Sequence, residues 1–274
     1  MRNVAVVQLM STEDVDLNMV MIERFVQEAA EAGADFITIP ENALFLRINP
    51  TSRAPVQPLT GPLMGRLRAL AERTGVTLLV GSFPEEGPDP EHCHNTSVLI
   101  DGTQPDAPVV ASYRKIHLFD IEITGKECHR ESDTIAAGDA LVVAPVGGIP
   151  TGLSICYDLR FPALYQGLVE LGARVITVPA AFTEYTGKEH WLTLLRARAI
   201  ETQTYIVAPN QYGHHGGKRK SYGKSTIIDP WGIPLCVAPD RPGWVMARLD
   251  FDYQDEVRSS LPCLQHKRPL KVRG

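Results

Sequence analysis

The sequence predicts an α/β protein whose sheets carry helices on their outer faces. Runs rich in Val and Ile recur along the chain, helical patterns stand between many of them, and glycine or proline marks the boundaries. A strand over residues 4–8 precedes a helix over 17–31, whose apolar positions include Val20, Phe25, Val26, Ala29 and Ala30. Gly33 closes that helix, as glycine does at a helix C-terminus. A strand over 36–39 ends at Pro40-Glu41-Asn42, and a helix over 62–73 stops at Gly75 before a strand over 76–81. Strands over 96–100, 109–113 and 140–144 follow with little helix between them. The alternation resumes with strand 152–155, helix 162–171, strand 175–178, helix 189–202 and strand 205–209. The last third reads as strands over 225–229, 234–237 and 244–249. The runs near Cys156 are continuous rather than alternating, which predicts strands buried on both faces.

At 274 residues with 44% hydrophobic content, the chain can build a sizeable core. No linker or fixed-period repeat divides it, so residues 1–274 read as one domain. A net charge of −5 argues against nucleic acid as the partner, and no apolar run reaches the roughly 20 residues of a membrane span. No signal-length apolar region follows the N-terminal strand. Five cysteines without framework spacing suit reduced thiols, so a cytoplasmic location is expected.

Cys156 is the residue of greatest chemical interest. It ends a buried strand and precedes a turn into a helical segment ending at residue 171. A side chain there faces a cleft, and backbone N–H groups at a helix start favour a thiolate. The other reading is a buried cysteine acting as a small hydrophobe. Glu41, following strand 36–39, stands where open α/β sheets build their sites, or else is a helix N-terminal charge. Lys115, after strand 109–113, is the third candidate, or else a solvated surface charge. Together they form a set suited to attack on an amide or nitrile carbon. A carboxylate takes the thiol proton, a thiol attacks, and an ammonium group stabilises the negative charge that develops.

The segments Pro40-Glu41, Tyr113-Arg-Lys115 and Ile155-Cys156-Tyr-Asp-Leu-Arg160-Phe-Pro162 resemble, in order and spacing, the Glu–Lys–Cys set of the nitrilase superfamily of carbon–nitrogen hydrolases. The resemblance runs from about Val4 to Pro269. Leu195-Arg-Ala-Arg-Ala-Ile-Glu201-Thr-Gln203, Ser221-Tyr-Gly223 and Asp229-Pro-Trp-Gly232 are similar to the Nit branch, which includes deaminated glutathione amidase and omega-amidase. The resemblance implies an αββα sandwich, two sheets face to face with helices outside. It implies a thiol amidohydrolase that cleaves the side-chain amide of a small 2-oxo acid amide through a cysteine thioester, with no cofactor and no metal. Deaminated glutathione is the expected substrate. 2-Oxoglutaramate, a nitrile, or a non-catalytic scaffold role are the alternatives.

Carried over by residue, Glu41 is the general base, Lys115 the oxyanion and thiolate stabiliser, Cys156 the nucleophile, and the Tyr157 N–H completes the oxyanion hole. Glu122 matches the superfamily's second glutamate, and a glutamate there favours the deaminated glutathione side. His117 and Phe119 become pocket or supporting residues. Arg160 is expected to bind a substrate carboxylate, or else to pair with Asp158. The segment 182–191 resembles the branch's substrate-side loop, with Phe182, Thr186 and His190 facing substrate. It departs from the branch at Lys188-Glu189, where Pro-Ala is usual, and at Leu192, where Glu is usual. A homodimer is expected through the helices over 162–171 and 189–202.

Other signals fall short. His92-Cys-His94 and Cys128-His129 lack paired zinc spacing. A Cys–His hydrolase using His117 or His190 leaves Glu41 and Lys115 unexplained. Gly152-Leu-Ser154-Ile-Cys156 lacks the second glycine of a serine elbow. The basic, glycine-rich stretch 213–220 lacks the Gly-Lys-Ser/Thr ending of a phosphate loop and reads as a mobile solvated loop.

Overall fold

A computed structural model describes residues 2–123 and 127–268. The elements run β1 (Arg2–Gln8), α1 (Val15–Glu31), β2 (Phe36–Thr38), α2 (Pro62–Thr74), β3 (Thr77–Glu86), β4 (Cys93–Asp101) and β5 (Val109–Arg114). They continue through β6 (Asp120–Ile123), β7 (Glu127–Arg130), β8 (Val143–Val146), β9 (Ile149–Leu153), α3 (Pro162–Glu170), β10 (Val175–Thr177) and α4 (Glu184–Thr202). The chain ends with β11 (Tyr205–Ala208), β12 (Tyr212–Gly216), β13 (Arg219–Tyr222), β14 (Thr226–Ile228), β15 (Pro234–Val237), β16 (Gly243–Leu249) and α5 (Phe251–Ser260).

Two six-stranded sheets form the body, in orders β16-β1-β2-β3-β4-β5 and β15-β14-β11-β10-β9-β8. The period-2 alternation of strands sorts the first sheet's side chains onto two faces. Val4, Val6, Phe36, Leu79 and Leu99 join one core with Leu153, Val175, Tyr205 and Val207 of the second sheet. Ala5, Val7, Ile37, Leu78 and Ile100 join the other with Met19, Phe25 and Val26 of α1 and Leu67 and Leu70 of α2. On the far side of the second sheet, α3 and α4 contribute Leu164, Leu168, Trp191 and Leu195. The result is the expected αββα sandwich, with parallel β1-β2-β3 and β9-β10-β11 at the two sheet centres.

Local details depart from the sequence reading. Residues Cys156–Arg160 form a short 3-10 turn, which the sequence reading did not specify, and the α-helix starts at Pro162 as expected. Proline disfavours helical backbone in the residue before it, and Phe161 is extended (φ −110°, ψ 91°). Helix α4 begins at Glu184, so most of the 182–191 segment, expected as a loop, is helical. Gly187 breaks nothing there, because its missing side chain lets Tyr222 approach: a Cβ would lie 2.4 Å from Tyr222 Cβ. The stretch expected as a mobile loop is the hairpin β12–β13. It is anchored by buried His215, which bonds Ser11 O at 2.8 Å and Ser221 Oγ at 2.9 Å. Helix α5 and the hairpins β6–β7 and β12–β13 carry no periodic apolar run, so the sequence does not mark them as regular elements.

Candidate active site

The sheets bring Glu41, Lys115 and Cys156 together. Glu41 follows β2 and Lys115 follows β5, both of the first sheet, whereas Cys156 follows β9 of the second. Lys115 Nζ donates to Glu41 Oε1 at 2.9 Å, and the Cys156 thiol lies beside the Glu41 carboxylate, whose charge acts on it. Glu41 Oε2 accepts the Ala181 N–H at 2.9 Å, and Gln211 Nε2 binds the Glu41 carbonyl at 3.0 Å. These contacts hold the carboxylate from both sheets. Glu41, Lys115 and Cys156 are 3%, 2% and 8% exposed, so their charges interact with little water between them.

Glu122 is not part of this cluster. In β6 it is exposed, because the strand alternates and turns its carboxylate to solvent. The β6–β7 hairpin instead returns the chain so that Glu131 meets Lys115, with Oε1 at 3.0 Å and Oε2 at 2.8 Å from Nζ. Glu131 Oε2 also accepts the Phe119 N–H at 2.7 Å. Asn95 in β4 is a second participant that motif reading passed over. Its Nδ2 donates to Glu41 Oε1 at 3.0 Å and to Glu131 Oε1 at 3.1 Å, while its backbone carbonyl accepts the Lys115 N–H at 2.9 Å. Glu131 and Asn95 carry no flanking motif, and only the spatial return of β4 and β7 reveals them.

Burial and charge set the protonation states. Burial pushes the Glu41 carboxyl up, but the Lys115 charge and the surrounding hydrogen bonds outweigh it and hold the group below its usual range. Burial opposes the Lys115 charge, yet Glu131 and Glu41 together raise its pKa well above the ordinary lysine value. Burial and the Glu41 charge raise the Cys156 thiol well above its ordinary value, despite Lys115. The thiolate expected from a helix N-terminus is therefore corrected. At rest this is a neutral thiol beside an ionised carboxylate, and the turn that follows Cys156 is 3-10 rather than α-helical.

The Cys156 backbone is constrained. Cys156 has φ 48°, a left-handed value rare for a residue with a side chain, and its N–H donates to Pro179 O at 2.9 Å. Fully buried Asp158 holds this elbow. Its Oδ2 accepts from Tyr113 Oη at 2.7 Å and the Ile155 N–H at 2.9 Å, and its Oδ1 accepts from the His117 N–H at 3.0 Å. His117 Nδ1 lies 2.8 Å from that same oxygen, and its ring stacks on Phe161 at 3.6 Å. His117 thus serves the elbow's framework rather than the thiol.

With Asp158 engaged this way, Arg160 does not pair with it. Its guanidinium lies over the rings of Phe182 (5.2 Å) and Tyr157 (5.8 Å) and contacts His190 Nδ1 at 3.2 Å. Among the described residues it has no carboxylate partner. Phe182 is buried against Trp191, and the buried Thr186 hydroxyl bonds Thr183 at 3.0 Å. Phe182 and His190 therefore reach the Arg160 side of the site, whereas Thr186 is engaged within the start of α4. The Tyr157 N–H has no backbone acceptor among the described residues. Elsewhere, His92 binds Asp89 and His94 binds Ala136 O, so the two histidines turn to separate partners. The Cys128 side chain lies outside the described set.

The carbon-nitrogen hydrolase family model matches residues 3–259. Deaminated glutathione amidase of Bos taurus is 42% identical over 273 residues, covering 97% of this chain and 82% of that protein. The crystal structure of the Caenorhabditis elegans NitFhit protein is 35% identical with a TM-score of 0.86, over 97% of this chain and 65% of that one. A mutant amidase from Nesterenkonia sp. AN1, showing the result of Michael addition of acrylamide at its active site cysteine, is 27% identical with a TM-score of 0.77. That match covers 97% of this chain and 100% of that one.

Proposed function

The chain belongs to the carbon-nitrogen hydrolase family and is an amidase; on that footing we propose that it cleaves the side-chain amide of a small 2-oxo acid amide, deaminated glutathione above all. The observation that carries the chemistry is that one buried carboxylate, Glu41, bonds the Lys115 ammonium and lies beside the Cys156 thiol. The likeness to deaminated glutathione amidases supports the substrate.

In this reading Glu41 takes the Cys156 proton as sulfur attacks the amide carbon. Lys115 and the Tyr157 N–H receive the oxyanion. The protonated Glu41 then gives its proton to the departing amine as the C–N bond breaks, leaving a Cys156 thioester. Water, deprotonated by Glu41, attacks the thioester carbon, and sulfur leaves as the thiol. Glu131 keeps Lys115 charged and placed. Arg160, on its aromatic bed and without a carboxylate partner among the described residues, takes the substrate carboxylate, with Phe182 and His190 beside it.

Both sheets contribute to the one site, which supports residues 1–274 as one catalytic domain. Exposed Leu171 after α3, and Tyr185 and Ile200 on α4, support a homodimer through that layer. Among the described residues no helix is long and apolar enough to cross a membrane. The unpaired Cys93, Cys156, Cys236 and Cys263 support a reducing cytoplasm. The test is a panel of deaminated glutathione, 2-oxoglutaramate, glutamine and simple nitriles, with intact-mass detection of an acyl group on Cys156. Deaminated glutathione is expected to have the highest kcat/KM, and C156A to be folded, inactive and unlabelled. Turnover by C156A would overturn the mechanism, and preference for another panel member would overturn the substrate.

A further inference from the structure

Four hydrogen bonds close a ring at the centre of the site. Glu41 Oε1 and Glu131 Oε1 each accept from Lys115 Nζ (2.9 and 3.0 Å) and from Asn95 Nδ2 (3.0 and 3.1 Å). Both partners of the Asn95 amide nitrogen are carboxylate oxygens, which cannot donate, so the orientation of the carboxamide is fixed. That orientation leaves Asn95 Oδ1 buried with no partner among the described residues. An unpaired buried acceptor is unfavourable, so the two N–H bonds to the carboxylates outweigh it.

Counting donors shows what those bonds achieve. A lysine ammonium has three N–H groups. Three carboxylate oxygens, Glu41 Oε1 and both oxygens of Glu131, lie within 3.0 Å of Lys115 Nζ. If the ammonium alone served all three, none of its protons would remain for a substrate. Asn95 supplies an N–H to each Oε1 atom, and Lys115 then needs only Glu41 Oε1 and Glu131 Oε2 to stay paired.

We propose that Asn95 is a positioning residue whose two amide N–H groups satisfy Glu41 and Glu131, which frees one Lys115 N–H for the oxyanion of the tetrahedral intermediate. This rests on the amidase reading and adds to it a residue that acts through Lys115 and Glu41 without touching substrate. Without Asn95, the carboxylates draw on the third ammonium proton, and Glu41 loses a donor that stabilises its charged form.

The test compares N95A and N95D with the wild type, each checked for folding by thermal melting, on the best substrate of the panel from pH 5 to 9. A hydrogen bond to a charged group corresponds to about a 10- to 100-fold effect. N95A is expected to lose that much in kcat with KM little changed, and the acid limb of kcat/KM is expected to move to higher pH. N95D preserves shape but offers no N–H and adds a third carboxylate, so it is expected to fall below N95A at pH 7. A residue that only fills space would give the reverse order and an unmoved acid limb, and either result overturns the proposal. If N95D does not fold, N95S, with one O–H donor, is expected between wild type and N95A, and equality with N95A overturns the idea. Alkylation of Cys156 by iodoacetamide reads the same cluster without substrate, with N95D expected slower than N95A. A wild type that cleaves no amide would therefore remove the amidase reading while the alkylation order still decides the role of Asn95.

Discussion

Replacing Lys115 by methionine removes the only ammonium group seen to bind Glu41 and Glu131 among the described residues, and its effect has a diagnostic pH dependence. Methionine keeps an unbranched apolar chain in a position that is 2% exposed. Removing one partner of a buried ion pair costs about 3–5 kcal/mol, because the remaining charge is left uncompensated. Here two carboxylates remain, bridged only by the Asn95 amide. In the wild type, burial raises the Glu41 pKa and Lys115 outweighs it, so the net shift is downward. A group with a lowered folded pKa contributes stability that is present above its unfolded pKa and lost as the pH falls through the folded value.

In K115M the main opposition to burial is gone, leaving only neutral donors, Asn95 and Ala181 among them, on the carboxylate. The Glu131 charge adds to burial, so the folded pKa of Glu41 is expected above the unfolded one. The folded state then binds more protons than the unfolded state, and stability falls as pH rises through that interval. Each pKa unit of difference corresponds to about 1.4 kcal/mol. Urea denaturation of both proteins between pH 4.5 and 7.5 measures this directly. The stability gap is expected to widen with pH toward the full buried-pair cost at neutrality, and turnover at pH 7 to fall by about 10²–10³ through loss of an oxyanion donor. A gap that stays constant with pH would refute the electrostatic account of Glu41 and Lys115.

Three further perturbations probe the frame around this pair. R160Q is expected to raise KM for a 2-oxo acid amide by about 10- to 100-fold, the scale of a charged hydrogen bond, and to leave an uncharged amide's kinetics unchanged in steady-state assays. Y113F removes the 2.7 Å bond to fully buried Asp158 and is expected to lower stability by about 1.5–3 kcal/mol in urea denaturation, with slower turnover as the Cys156 elbow loosens. G81A places a Cβ 2.1 Å from Ile39 O and 2.5 Å from both Pro40 C and Pro179 Cβ, pressing on the two strand ends that carry Glu41 and Ala181. It is expected to cost about 1–3 kcal/mol by overpacking and to reduce kcat at temperatures where the variant is fully folded.

What the sequence disclosed follows the range of each signal. The strand over 4–8 is legible as an apolar run and the αββα sandwich is implied by the family resemblance, whereas the sorting of Val4 and Val6 to one core and Ala5 and Val7 to the other is seen only in the structure. Glu41, Lys115 and Cys156 each close a strand, so a local pattern marks each of them. Glu131 and Asn95 are different in kind. Glu131 reaches Lys115 only because the β6–β7 hairpin doubles the chain back, and Asn95 lies in the start of β4, just before the 96–100 run that the sequence marks. Glu122, nearer Lys115 in sequence, has the right chemistry on the wrong face of its strand.

The protonation state of Cys156 lay further still from local reading, since it depends on the summed charge of the cluster. Two carboxylates and one ammonium give the resting site a charge of about −1 while the thiol is neutral. Loss of the thiol proton to solvent would take the buried cluster to −2, which burial and Glu41 both resist. Transfer of the same proton to Glu41 leaves the total at −1 and only moves charge from oxygen to sulfur, beside the same ammonium group. Burial penalises a net charge far more than its relocation between neighbouring atoms. The direct Glu41–Cys156 contact is therefore what lets a thiol with a raised pKa act as a nucleophile at neutral pH, and Lys115 stays paired throughout the transfer.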